Sequence, residues 1–563
     1  MPTISVEQKL IEKLLKKHGH LHDIPKLAEQ LPLLGTDIDR CDDEILDIEI
    51  FPNRPDLLSG ETLSRAIRNF IHLQDSNPDL EIKNGQIAMV VDSELEHIRP
   101  IILGAVVRGV DLAKLEISAD DFIKSLMDHQ EKLHFALGRG RKRASIGVHD
   151  LSKIAPPFAV KAVSGDTKFI PLAMTESMTI HEILQQHPKG VDYAHLVEGF
   201  EKFPIIVDSN DNVLSFPPII NGDHTTVTST TKDFFIDVTG WDFRSCEASL
   251  MLIAIQLQEL GGTIESVEVT NCHGMTHHYP NGSSVKHELP VKMLNGLLGS
   301  ELSDEAITNA INRMGGKFIS RDGDSITINM PRWRFDILHP VDLVEDIAIG
   351  HGYEDLGEDI PRSPMTAKPR DDANLLRRVR DSMQGLGMMQ IQSLTLSNDD
   401  DQFNLVRLNS VGEVTRITNP ITIDHTLLRQ YLLPGLLRLL STNRHHDLPQ
   451  SVYEVGTVVR GHKNSSRLAF LIAERSGGFA AIRGRIQAFL RDLGATEYEI
   501  SPLPENEGPW LAGRAAKVVV NGNHIGCFGE IDPHVAELFE LKVPMNGAEF
   551  CLQEIAKSIP DPV

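Results

Sequence analysis

The stretch Met330–Leu356, MPRWRFDILHPVDLVEDIAIGHGYEDL, decides how the chain is read. After Pro340 it reads as helix, and that helix sets Asp342, Glu345 and Asp346 on one face, with Asp336 six residues before Asp342. Like charges spaced i,i+4 on a helix cost about 0.2–0.5 kcal/mol per pair. A carboxylate in the first turn gains about 0.3–1 kcal/mol from the helix dipole, which covers Asp342 but fades toward Glu345 and Asp346. Two readings follow: a solvated acidic face, or a site for a cation or a basic partner. An oxygen-only set without His or Cys suits a hard cation such as Mg2+. Spacing leaves the choice open.

Upstream of this helix the chain reads as two further helices, VKMLNGLLG and DEAITNAINRMGG, then a strand pair, KFISRDGDSITINMP, whose Asp-Gly is a hairpin-turn signal. Two helices and a hairpin predict a winged-helix-like module over 272–356. Downstream, the Pro-rich EDIPRSPMTAKP reads as a linker to a last α+β domain, 365–563. That domain carries a long helix (NLLRRVRDSMQGLG), strands at MQIQSLTLS, SVYEVGTVV and RLAFLIAE, and helices at LLPGLLRLLSTN and AAIRGRIQAFLRDLG. On the other side, 87–268 alternates β-rich runs (IAMVVDS, PIILGAVVRGV, PIIVDS) with helices and closes on an apolar helix around Ser249–Gly261. Residues 1–86 combine an amphipathic N-terminal helix with a short strand, DIEIFPN.

Four domains agree with 563 residues, too many for one core. With 41% hydrophobic and 24% charged residues the composition is that of a soluble globular protein. No apolar run approaches the roughly 20 residues of a membrane span. The N-terminus lacks a signal-peptide apolar core. Five cysteines lie far apart with no CxxC pair, so neither a zinc knuckle nor a disulfide framework is indicated, and a reducing cytoplasm is expected. A net charge of -24 argues against non-specific coating of nucleic acid, although Arg139, Arg141, Lys142 and Arg143 form a local basic stretch. His134 and His149 flank it without a third residue spaced for metal ligation.

PRWRFDILHPVDLVEDIAIGHGY resembles the signature of the phenylalanyl-tRNA synthetase β-subunit family. Further segments match the same family in order: IFPNRPDLLSGETLSRAI, GRGRKRASIGVHDLSKI, HPKGVDYAHLVEGFEKFPIIVDS, LSFPPIIN with DFFIDVTG, and NPITIDHTLLRQYLLPGLLRLLSTN with VYEVGTVV. The forms GRGRKRASIGVHDL and FIDVTG look like the archaeal and eukaryotic-cytosolic branch, and the chain looks too short for the extra terminal modules of the bacterial subunit. The resemblance implies an α+β multidomain fold: an N-terminal α/β domain, an editing domain, the winged-helix-like metal-binding module, and a degenerate class II aminoacyl-tRNA synthetase-like antiparallel-sheet domain. It implies an α2β2 ligase that uses ATP to charge tRNA(Phe) with phenylalanine, and Mg2+ shared with the α subunit. The family's acidic pattern falls on Asp336, Asp342, Glu345 and Asp346, the last a shorter Asp where Glu is usual.

Class II synthetases stabilise the triphosphate with arginines. In this chain no Arg precedes Glu454 in SVYEVGTVV, and the last segment, VPMNGAEFCLQEI, has none. The resemblance therefore implies a docking scaffold at 365–563, with adenylate chemistry on the α subunit. Arg429 reads as a salt-bridge partner near a helix start rather than a phosphate ligand. By motif match the editing pocket comprises Ile206 (Leu in the family), Ser215, Asp237 and Thr239, where misattached tyrosine would be hydrolysed. The need is physical, since an apolar pocket rejects an isostere with one added hydroxyl by only about 10²-fold. Read alone, these residues would be strand core and turn formers. Arg139, Arg141, Lys142 and Arg143 are expected to contact the tRNA backbone, and Arg54 beside Asp56 to serve structure or a subunit interface. Two other classes stay open: a free-standing aminoacyl-tRNA deacylase, and a non-enzymatic nucleic-acid-binding scaffold, against which the acidic module carries the wrong sign for phosphate.

Overall fold

FFIDVTG, dense in β-branched and aromatic residues, forms the strand Phe234–Gly240, and all seven residues are buried. In the computed structural model, which describes residues 2–357, 366–504 and 507–560, this strand lies between Ile101–Arg108 and Ala144–Asp150, antiparallel to both. These belong to a ten-stranded mixed sheet that continues through Thr263–Thr270, Ala88–Val91, Phe158–Val163 and Phe203–Val207 to Val213–Phe216. Ala88–Val91 runs parallel to both of its neighbours. Ile236 and Val238 point into a core shared with the helix Phe243–Glu259, while Phe235 points to the opposite face. That helix is buried all round from Ser245 to Leu257 and again at Glu259, as expected of one covered on both sides.

The chain divides into two compact units, Met1–Pro361 and Arg362–Val563. Most of the expected linker, residues 358–365, lies outside the described residues. In the first unit the N-terminus departs from the expected uninterrupted helix. Thr3–Glu7 alternates exposed and buried residues, the period of a strand, and pairs with Ile45–Ile50 before the helix Gln8–Lys17 begins. The helix Gly60–Phe70 ties this segment to the large sheet. Glu259 receives Arg68 at 2.8 Å and Arg65 at 3.2 Å, with His18 at 3.7 Å. Burial pushes the Glu259 carboxyl up, but His18, Arg68 and Arg65 outweigh it and hold it well below the usual carboxylate range.

The acidic module contains the helices Val291–Leu298, Asp304–Arg313 and Pro340–His351 and the strands Lys317–Asp322 and Ser325–Met330. Gly323, at φ +56°, turns the hairpin. The structure adds a third strand, Val285–Pro290, paired with Ser325–Met330. In the second unit a seven-stranded sheet is antiparallel except for Met389–Gln390, which runs parallel to Gln450–Arg460. Along Lys463–Ala473, Leu468, Phe470 and Ile472 face one core while Ala469, Leu471 and Ala473 face another, the alternation of a strand covered on both sides. MQIQSLTLS is strand only at Met389–Gln390 and Leu396–Ser397.

Candidate functional site

Strand pairing places Gly147 directly opposite Asp237 and Ser145 opposite Thr239. On the cavity side of this ladder lies a space of about 210 Å3, lined by Asp237, Gly147, Ser215, Asn221, Thr225 and Arg141 among others. It is smaller than common ligand pockets of about 300–1,000 Å3, with room for one side chain rather than a nucleotide. Asp237 is buried, and its Oδ2 lies 2.7 Å from His149 Nε2. The other ring nitrogen, Nδ1, lies 2.8 Å from Thr225 Oγ1. A Cβ at position 147 would fall 2.1 Å from Asp237 Oδ2, so glycine is required there by close approach rather than by backbone angle. Ser215 Oγ is buried with no hydrogen-bond partner. A buried, unpaired hydroxyl costs about 1–3 kcal/mol unless a ligand or water satisfies it.

Of the four residues expected to share a pocket, Asp237 and Ser215 line this cavity. Ile206 pairs with Ser215 in the ladder, but its side chain is fully buried in the apolar core that includes Phe235 and Leu214. Thr239 is also fully buried and sits behind the cavity wall, where its hydroxyl accepts from Arg99 Nε at 2.7 Å and meets Ser145 Oγ at 3.0 Å. Burial lowers the Arg99 guanidinium to about 10. The sequence reading did not select His149, Thr225 or Arg99 for this site. His149 is quoted in GVHDL, but its partner lies 88 residues away in sequence, beyond any local spacing rule.

The basic stretch is not uniform. Arg139, Lys142 and Arg143 are exposed. Arg141 corrects the expectation of a backbone contact: it is buried, pairs with Glu131 at 2.6 Å, donates to the Ile219 carbonyl at 2.9 Å and stacks 4.3 Å from the Tyr193 ring. Its guanidinium is committed to the cavity wall.

The four acidic residues do not converge as the single cation site expected of them. Arg334, in the same quoted stretch, lies between two of them: it donates to Asp336 at 2.8 and 2.6 Å and to Asp346 at 2.8 Å. Asp342 turns back on the helix start, where its Oδ2 accepts from the backbone N–H groups of Leu338 and His339 at 2.7 and 2.6 Å. Glu345 is exposed. Burial raises both aspartates, and Arg334 outweighs it at Asp336, leaving that carboxyl below its ordinary value. At Asp346 burial prevails and the carboxyl is raised, with Oδ2 unpaired. Among the described residues no group of three or more His, Cys, Asp or Glu side chains is arranged to hold a metal ion. As folded, this chain alone does not fit a resident Mg2+, because a guanidinium already neutralises the buried pair.

Arg54 forms a buried two-point pair with Asp56 at 2.9 and 2.8 Å. In the second unit Arg429 pairs with the buried Glu454 at 2.7 Å and donates to Ser393 Oγ and the Thr457 carbonyl. It serves as an internal ion-pair partner there.

Three domain families match the chain: the B3/4 domain over residues 103–255, the tRNA synthetase B5 domain over 287–353, and the phenylalanyl tRNA synthetase beta chain CLM domain over 356–552. The phenylalanine–tRNA ligase beta subunit of Methanothrix thermoacetophila is 39% identical over 98% of this chain and 99% of its own length. That of Methanosarcina barkeri is 40% identical, with 99% of each covered. Among solved structures, an N-terminal fragment of the phenylalanyl-tRNA synthetase beta subunit from Pyrococcus horikoshii superposes with a TM-score of 0.57 and 31% identity. It covers 62% of this chain and all of the fragment.

Proposed function

Because the chain belongs to the phenylalanine–tRNA ligase β-subunit family, we propose that it works as the scaffold and proofreading half of an α2β2 ligase whose adenylate site is on the α subunit. The missing triphosphate-binding arginines support the first part: Arg429 is locked against Glu454, and no Arg stands in VPMNGAEFCLQEI. ATP is then a substrate of the assembled enzyme, bound by the partner. Among the described residues no helix is long and apolar enough to cross a membrane; a cytoplasmic location is part of the proposal and rests on the family.

Proofreading rests on one observation, the cavity that joins the buried Asp237 carboxylate to the unpaired Ser215 hydroxyl. A misattached tyrosine would offer its phenolic O–H to the Asp237 oxygen not engaged by His149, while phenylalanine would leave that oxygen without a partner. Sites built to hydrogen-bond a hydroxyl discriminate strongly for this reason. The editing function is thus the complement of an apolar charging site. Ile206 and Thr239 act from behind, as packing and as an anchor for Arg99. Exposed Arg139, Lys142 and Arg143 are proposed to steer the tRNA backbone, with Arg141 shaping the wall.

Mg2+ enters only in a reduced form. The exposed Glu345 and the half-buried Asp342, whose Oδ2 is engaged by the helix start, are proposed as carboxylates at the α-subunit contact, where partner groups and water would complete the coordination of a hard cation. No step of the hydrolysis is assigned to it.

The test is Asp237→Ala in the reconstituted ligase. Loss of a hydrogen bond to a charged group, about 1.5–3 kcal/mol, predicts about 10- to 150-fold slower hydrolysis of Tyr-tRNA(Phe) with phenylalanine charging retained. Clearance at the unmodified rate would refute the pocket. Phenylalanine-dependent ATP–pyrophosphate exchange by the pure chain would refute the scaffold assignment.

A further inference from the structure

We propose that His149 is a positioning residue for proofreading: it takes one oxygen of Asp237 so that the other is held toward the aminoacyl side chain. This rests on the editing function proposed above. Among the described residues, the His149 contact is the one hydrogen bond made by the Asp237 carboxylate, and it engages Oδ2. Oδ1 is then left for a ligand on a residue that lines the cavity. A buried carboxylate with a single bond is well aimed only if its donor is itself fixed. The imidazole is fully buried, stacks on Phe235 with ring centres 5.9 Å apart, and meets Thr225 through Nδ1. Thr225 is anchored in turn at the Gly222 carbonyl, 3.0 Å away.

The chemistry gives this chain a direction. A carboxylate oxygen only accepts, so Nε2 must carry the hydrogen that bridges to Asp237, while Nδ1 is held 2.8 Å from the oxygen of Thr225, whose own hydrogen goes to the Gly222 carbonyl. Arg99 and His224 are the other charged or titratable groups that act electrostatically on this pair. Gly147 lets the carboxylate lie close against the neighbouring strand, since any Cβ would meet both Asp237 Oδ2 and His149 Nε2, at 2.1 and 2.8 Å. The side of the cavity that would read a phenolic hydroxyl is thus a three-residue relay, Thr225–His149–Asp237. Two of its members, Thr225 and Asp237, line the space itself.

Amide replacement separates the two ring nitrogens in the reconstituted ligase. The amide nitrogen of His149→Gln reaches the position of Nε2, whereas that of His149→Asn reaches only the position of Nδ1. The expected result is that Gln keeps kcat/KM for Tyr-tRNA(Phe) hydrolysis within about threefold of the parent. Asn should lose at least tenfold, with phenylalanine charging unaltered in both. Equal rates for the two variants would overturn the proposal. Thr225→Val covers the case in which both His149 variants fold poorly: it should lose at least fivefold and Thr225→Ser should recover it, and an unchanged Val variant would also overturn the proposal. A parent enzyme that does not clear Tyr-tRNA(Phe) would instead refute the editing function, independently of His149.

Discussion

Replacing Arg334 with Met tests whether the acidic module is held together by its internal guanidinium. In the parent, Arg334 is buried, bridges Asp336 and Asp346, and also donates to the Met314 carbonyl at 3.0 Å. Methionine fills much of the same volume but leaves two buried carboxylates facing each other. Removing one partner of a buried ion pair costs about 3–5 kcal/mol. With a urea dependence of about 1–3 kcal/mol/M, the unfolding midpoint should fall by about 2 M. Trp333, buried beside the substitution, supplies the fluorescence signal. The deficit should also depend on pH. With the guanidinium gone, the two carboxyls titrate higher in the folded than in the unfolded chain, so the folded form binds more protons and recovers stability as pH falls from 7 toward 4. Adding Asp336→Asn and Asp346→Asn should restore most of the loss at neutral pH. A midpoint within about 0.3 M of the parent, or a deficit independent of pH, would refute the reasoning.

Gly147→Ala places a methyl group against Asp237 Oδ2 and should slow Tyr-tRNA(Phe) hydrolysis at least tenfold with phenylalanine charging intact; unimpaired hydrolysis would show that the Asp237–His149 geometry is irrelevant. Burial lowers His129 from its ordinary value to about 4. The unfolded chain therefore binds more protons between about pH 6.5 and 4, and the parent should lose about 3 kcal/mol across that window, full stability holding above it. His129→Gln should flatten that part of the urea-midpoint profile. Ala at Arg139, Lys142 or Arg143 should weaken tRNA binding and each reduce the log–log salt slope by about one, while unchanged slopes would remove these side chains from the RNA contact.

Much of the architecture was legible from local pattern. Pro340 marks the start of the acidic helix, and the strand FFIDVTG and the long helices of the second unit lie where their periodicity places them. The N-terminal strand Thr3–Glu7 was also written in the sequence, as Ile4 and Val6 alternating with polar residues, but the stronger helical pattern beyond it obscured the change of period. The inward part of the carboxylate cluster is hidden for a similar reason. Asp346 lies three residues after Leu343 and beside Ile347, both fully buried, so it belongs to the inward face and needs a cation from within the fold. Arg334 supplies one, but only the turn before Pro340 brings it there. The cavity was half visible. A motif names Asp237 and Ser215, whereas the contribution of His149 depends on strand pairing across 88 positions. No spacing within one strand can reveal it.

The knot of charge at Glu259 bears on how this chain can be shortened. A carboxylate at the end of the helix Phe243–Glu259 is neutralised by Arg65 and Arg68, both contributed from the first seventy residues. Trimming that leading segment would strand the anion in an apolar wall and uncover the helix behind it. Any stand-alone version of the domain that ends in this helix therefore has to keep its N-terminal companion or redesign position 259.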